Sequence, residues 1–108
     1  MTKKALIKES DIQKAILQFL KAKNILHWRV NLGAVMHNIN GKMIFRKNPM
    51  RGFPDIAGVV EGRMFAIEVK SLNGKMSEPQ IEWKDKLESN GVKYIIATSV
   101  EDIEKEVC

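Results

Sequence analysis

The sequence predicts an α/β fold with a central mixed β-sheet flanked by helices. Three observations lead there. An amphipathic helical segment opens the chain, two strand-length apolar runs follow one another across a two-residue turn, and the remainder alternates helix, strand and helix. The expected order of elements is α-β-β-β-α-β-α.

Residues 10–23 carry Ile12, Ala15, Ile16, Phe19 and Leu20 at the i, i+3, i+4, i+7, i+8 spacing of one buried helix face. Ser10 with Gln13 fits a capping box, and Asn24 is a suitable stop. Residues 27–32 then read as a strand, with Trp28 and Val30 alternating against His27 and Arg29. Residues 35–45 have the outline of a hairpin turning at Asn40-Gly41, a pair suited to a type I′ turn, although their apolar alternation is poor. Residues 47–54, with two prolines and a glycine, form a loop. Strands over 55–60 and 63–71 follow, joined through Glu61-Gly62, and Asn73-Gly74 starts the next loop. Ser77 caps a helix running to about Asn90, with Gln80 at the reciprocal box position, Pro79 tolerated in the first turn and Gly91 at the C′ position. Residues 92–98 form a buried strand, and Ser99 with Asp102 caps a short terminal helix.

With 108 residues, 44% of them apolar and 29% charged, the chain is expected to form one soluble domain spanning 1–108. No apolar run is long enough to cross a bilayer, and no signal-type core follows the basic Met1–Lys4 start. The lone Cys108 excludes an internal disulfide framework and suits a reducing cytoplasm. His27 and His37 lack zinc spacing, and there is no Gly-rich phosphate loop, so neither a structural metal nor a nucleotide cofactor is expected. A net charge of +5 makes a polyanionic partner plausible.

The chemistry is suggested by hairpin register. If the turn is centred on Glu61-Gly62, Val60 faces Arg63 and Asp55 faces Glu68, two carboxylates on one face. Lys70, two residues further on, projects from that same face, while Phe65, Ile67 and Val69 point into the core. Opposed carboxylates repel, and a positive group between them relieves the cost. Mg²⁺ suits that place, being bound by one or two carboxylates plus waters and phosphate oxygens, with Mn²⁺ expected to substitute. Lys70 adds a donor and a point charge able to orient an attacking water. Glu-x-Lys alone is an ordinary surface pair. The Gly52-Phe53-Pro54-Asp55 loop aimed at Glu68 is what distinguishes it here.

Glu9 falls on the inward face of the first helix, three residues before Ile12, although the Ser10 box would place it just outside the helix. It reads either as a site residue or as an acid favoured by the helix dipole. Gln80 reads as a supporting site residue or as a plain capping-box partner. Lys42, Arg46, Lys47 and Arg51 precede the reactive aspartate on a basic segment suited to DNA-backbone contacts. Arg29 and Asn31 on the outer face of their strand, and Lys75 after Asn73-Gly74, are further candidates. Trp28 and Trp83 read as core or interface residues rather than base-stacking platforms.

Gly52-Phe53-Pro54-Asp55, Glu68-Val69-Lys70 and Gln80 with Trp83 together resemble the virus-type replication-repair nuclease (VRR-NUC) domain of the PD-(D/E)xK superfamily. The resemblance covers nearly the whole chain, from the helix at Glu9 to the strand near Ile96, and implies a restriction-endonuclease-like core. It implies Asp55 and Glu68 as metal ligands, joined by the main-chain carbonyl of Val69. It further implies Lys70 as catalytic lysine, Gln80 in support and Glu9 as the acidic residue of the first helix, a direct or water-mediated ligand. The implied activity is a metal-dependent deoxyribonuclease similar to Holliday-junction resolvases, acting as a homodimer on branched DNA and leaving a 5′-phosphate. A viral or bacterial type protein working in the cytoplasm fits this picture. The alternatives are a non-catalytic basic nucleic-acid-binding module, and an oligomeric interaction protein whose Glu/Lys face pairs between subunits.

Overall fold

The computed structural model describes residues 7–30, 35–46 and 50–107, with the backbone alone at 35–39 and 44–46. Helix α1 (Glu9–Ala22) leads into β1 (Leu26–Arg29), then β2 (Val35–Ile39) and β3 (Lys42–Arg46), then β4 (Ile56–Val60) and β5 (Arg63–Val69). Helix α2 (Glu78–Ser89), β6 (Lys93–Ala97) and α3 (Val100–Val107) complete the chain. Four strands form one sheet in the order β1-β4-β5-β6, while β2 and β3 pair only with each other. The pairings β1/β4 and β4/β5 are antiparallel and β5/β6 is parallel, so the sheet is mixed as expected. The predicted order holds for that sheet, with the β2–β3 ribbon inserted between β1 and β4.

Both hairpins turn where the sequence places them. Asn40 and Gly41 adopt φ of 52° and 78°, and Glu61 and Gly62 adopt 51° and 78°, the paired positive values of a type I′ turn. The second turn sets the β4/β5 register, Val60 opposite Arg63 through Ile56 opposite Ile67.

Helix α1 starts earlier than the capping pattern suggested. Lys8 is the N-cap, with no side-chain cap, and its carbonyl takes the amides of Asp11 and Ile12, so the Ser10–Gln13 box does not form. Glu9 thereby enters the first turn, where a carboxylate is favoured by the unpaired N–H groups. At the other end Asn24 adopts φ 57°, and the amides of Asn24 and Ile25 reach back to Lys21 and Leu20 in a Schellman motif. Gly91 ends α2 in the same way, with the Gly91 and Val92 amides on the Glu88 and Leu87 carbonyls.

The core lies on one face of the sheet. Ile12, Ile16 and Leu20 of α1 and Ile103 and Val107 of α3 pack on Ile56, Phe65, Ile67, Val69, Ile95 and Ala97. Alternation along β5 sends Ala66 and Glu68 to the opposite face, where α2 lies. Glu68 is only 3% exposed there. β1 is an edge strand, and Trp28 is 45% exposed, so of the core and interface readings the core one does not hold. No helix among the described residues is long and apolar enough to cross a membrane.

Phe65 crosses the sheet over Gly58, its partner on β4. A Cβ at Gly58 would fall inside the contact distance of both the Phe65 ring and the Leu26 carbonyl. Gly58→Ala is therefore expected to cost about 1–3 kcal/mol through overpacking. Urea unfolding reads this as a lower midpoint at unchanged slope, and an unchanged midpoint would contradict the packing.

Candidate active site

Asp55 immediately precedes β4, one step beyond the last β4/β5 pair, so the register carries it to the level of Glu68. Its carbonyl accepts the Val30 amide (2.8 Å) and its Oδ2 accepts the Val69 amide (2.8 Å). The residue is thus tied to the chain on both sides of it. Lys70 projects from the face that carries Glu68, its Nζ 3.8 Å from Glu68 Oε1, and the two side chains are only 12% and 4% exposed. This is no solvated surface pair.

Gln80 reaches these groups from the first turn of α2. Its Oε1 accepts from Lys70 Nζ and from the Ser77 amide, each at 2.8 Å, and its Nε2 donates to Glu68 Oε1 at 2.8 Å. Lys70 and the Ser77 amide are both donors, so the amide can point only one way. Ser77 Oγ in turn accepts the Gln80 amide, closing the capping box. The capping-box reading of Gln80 is realised, and the same geometry aims its side chain at Glu68 and Lys70.

Glu9 is exposed, and its Oε1 accepts the Ser71 amide just past β5 (3.3 Å). Gly74 of the following loop lies close enough that a Cβ there would come within 3.2 Å of Glu9 Oε1 and of Lys70 Cδ.

Burial pushes Glu68 up to about 8, reinforced by the charge of Asp55, with Lys70 working in the other direction and Glu9 adding to the rise. Asp55 is also raised, first by burial. The Val69 amide opposes that rise, Glu9 adds to it, and Lys70 and Arg29 oppose it. Glu68 Oε2 is buried with no hydrogen-bond partner among the described residues. An acceptor without a donor, beside a second carboxylate, is a donor set that fits a hard divalent cation. Among the described residues no three Asp, Glu, His or Cys side chains cluster to hold a metal, so Asp55 and Glu68 form a pair with Glu9 at its margin.

Arg29 is exposed on β1 and acts electrostatically on Asp55. Arg51, Lys75 and Lys42 are exposed, on the turn before Phe53, on the 71–77 loop and at the ribbon turn respectively. Arg46 ends β3, while Asn31 and Lys47 lie outside the described residues. Between Asp11 and Asp55 the sequence contains no acidic residue and eight lysines and arginines.

Tyr94 was not anticipated as a neighbour of the site. It pairs with Ala66 across β5/β6, and its hydroxyl is buried without a hydrogen-bond partner among the described residues. Burial raises its pKa, and Glu68 and Asp55 raise it further. Its only sequence signal is its parity on β6, which has no meaning until the parallel register is known.

With Glu68 raised from an ordinary 4.5 to about 8, the folded state holds a proton that the unfolded state releases. That contribution is complete at the acid end of the interval and is lost as pH rises through it, and Asp55 shifts in the same direction. In EDTA, stability should fall from pH 5 to 8 by up to about 1.4 kcal/mol per pH unit. Glu68→Gln should flatten that slope in urea titrations, and identical profiles for the two proteins would count against the buried carboxylate.

No curated protein matches the chain. The family model of the VRR-NUC domain matches residues 7–101, a span that contains Glu9, Asp55, Glu68, Lys70 and Gln80. The fold and this match agree: the chain belongs to the VRR-NUC family, a family of nucleases with DNA as substrate.

Proposed function

We propose that this chain is a Mg²⁺-dependent endonuclease that hydrolyses phosphodiester bonds in branched DNA, in the manner of a Holliday-junction resolvase, working as a homodimer in the cytoplasm. The observation that carries the reading is Glu68: a buried carboxylate facing Asp55, with one oxygen unpartnered and Lys70 alongside. Asp55 and Glu68 would hold the ion, with the Val69 carbonyl beside them and Glu9 acting directly or through water. The ion, Mg²⁺ or Mn²⁺, supplies polarisation of the phosphate and a lower pKa for the attacking water when bound.

The chain's own groups do the rest. Lys70 directs one of its three N–H donors to Gln80 Oε1, which fixes the ammonium at the mouth of the pair to orient water and offset charge on the phosphate. Gln80 keeps Glu68 turned toward Asp55. Attack in line would break the bond to the 3′ oxygen and leave a 5′-phosphate. Arg29, Asn31, Lys42, Arg46, Lys47, Arg51 and Lys75 would meet the DNA backbone, a role supported by the acid-free run between Asp11 and Asp55. Exposed Leu26 and Trp28 on the edge strand are apolar surface available to a second subunit.

Labelled four-way junctions, flaps and linear duplexes incubated with Mg²⁺, Mn²⁺ or EDTA test this. Cleavage should require the ion and favour branched substrates, and Glu68→Gln or Lys70→Ala should each slow it by about 100-fold or more. DNA affinity measured in Ca²⁺ should persist in both variants. Wild-type cleavage by Glu68→Gln would overturn the mechanism. Salt-sensitive binding indifferent to Mg²⁺, with no cleavage, would mark a non-catalytic binding module instead.

A further inference from the structure

Three contacts join the 50–54 segment to α2. Met50 to Phe53 form a turn closed by the Phe53 amide on the Met50 carbonyl (3.0 Å), with Gly52 at φ 88° as the third residue of a type II turn requires. Gly52 sits so close to Pro79 that a Cβ there would fall 2.6 Å from the Pro79 carbonyl carbon. Trp83 Nε1 donates to the Arg51 carbonyl (3.1 Å), and its ring meets Phe53 edge-on, centroids 5.0 Å apart at 76°. The Lys86 ammonium lies 5.3 Å from the Trp83 ring centroid.

Pro79, Gln80 and Trp83 all belong to the first two turns of α2, and Gln80 and Trp83 are three residues apart, hence neighbours on the helix surface. One helix segment therefore holds both halves of the carboxylate pair. Gln80 grips Glu68 directly, while Trp83 grips the turn that ends, two residues after Phe53, at Asp55. The β4/β5 ladder stops at Ile56, so Asp55 itself is held by the Val30 and Val69 amides, and the turn that leads into it is held by these contacts to α2.

We propose that Trp83 is a positioning residue: by clasping the Arg51–Phe53 turn onto the helix that carries Gln80, it sets where the Asp55 carboxylate stands relative to Glu68. The proposal rests on the reading of Asp55 as a ligand only for its consequence on metal binding; its geometric part does not. The Val69 amide, which donates to Asp55 Oδ2, is a reporter that needs no metal and no DNA.

In metal-free protein, Trp83→Phe keeps the ring contact and removes the indole N–H. Its Val69 amide proton should move upfield toward the position seen in Asp55→Ala, and Mn²⁺ affinity by calorimetry should fall about 10-fold. Phe53→Leu, which removes the edge contact and leaves the N–H, should move both readouts the same way if Trp83→Phe does not fold. A lowered melting temperature with the Val69 resonance and Mn²⁺ affinity unmoved would overturn the proposal, leaving Trp83 as packing. Wild-type protein that binds no Mn²⁺ would instead sink the metal-dependent reading, and the Val69 shift alone would then decide the clasp.

Discussion

Two carboxyl groups held together at the end of a hairpin, where both cannot ionise without cost, are the constraint around which the rest of the site is arranged. The β4/β5 register brings Asp55 to the level of Glu68, and burial then makes their mutual repulsion severe, because little water remains to screen it. A folded chain tolerates this only with compensation from elsewhere. The Val69 amide donates to Asp55, Gln80 donates to Glu68, and Lys70 lies between helix and strand. Among the described residues these contacts leave Glu68 Oε2 without a donor.

Helix α2 contributes little to the core, with no fully buried residue, and its importance lies at its N-terminal end. The capping box that starts it also orients Gln80, so local helix initiation and site geometry share one side chain. Trp83 and Pro79 bring the Gly52 turn against the same segment. By contrast α1 and α3 supply the apolar layer on the other face of the sheet, with Glu9 at the start of α1 touching the end of β5. The apolar core lies on one face and the candidate site on the other. The sheet passes between them, so a residue on β5 serves one or the other according to its parity.

The charge distribution follows a similar division along the chain. All the acidic residues lie at or before Asp11 or from Asp55 onward, and the intervening stretch is purely basic. That stretch includes the β2–β3 ribbon, which pairs with no strand of the main sheet.

What the sequence determined by itself was whatever short-range chemistry controls. Glu61-Gly62 set the hairpin register and with it the meeting of Asp55 and Glu68. Asn24 and Gly91 stopped their helices, and Ser77 with Gln80 started α2. Each depends on residues within a few positions of one another, where steric and hydrogen-bond rules act without reference to the rest of the fold. The tertiary structure decided the rest. It brought the distant Ser71 amide to Glu9 in the first turn of α1, covered Glu68 with α2, left Trp28 on an open edge, and placed Tyr94 beside the carboxylates through a parallel pairing. Those outcomes turn on contacts between segments far apart in the chain, and local patterning cannot fix them because the partner face is known only once the layers have packed.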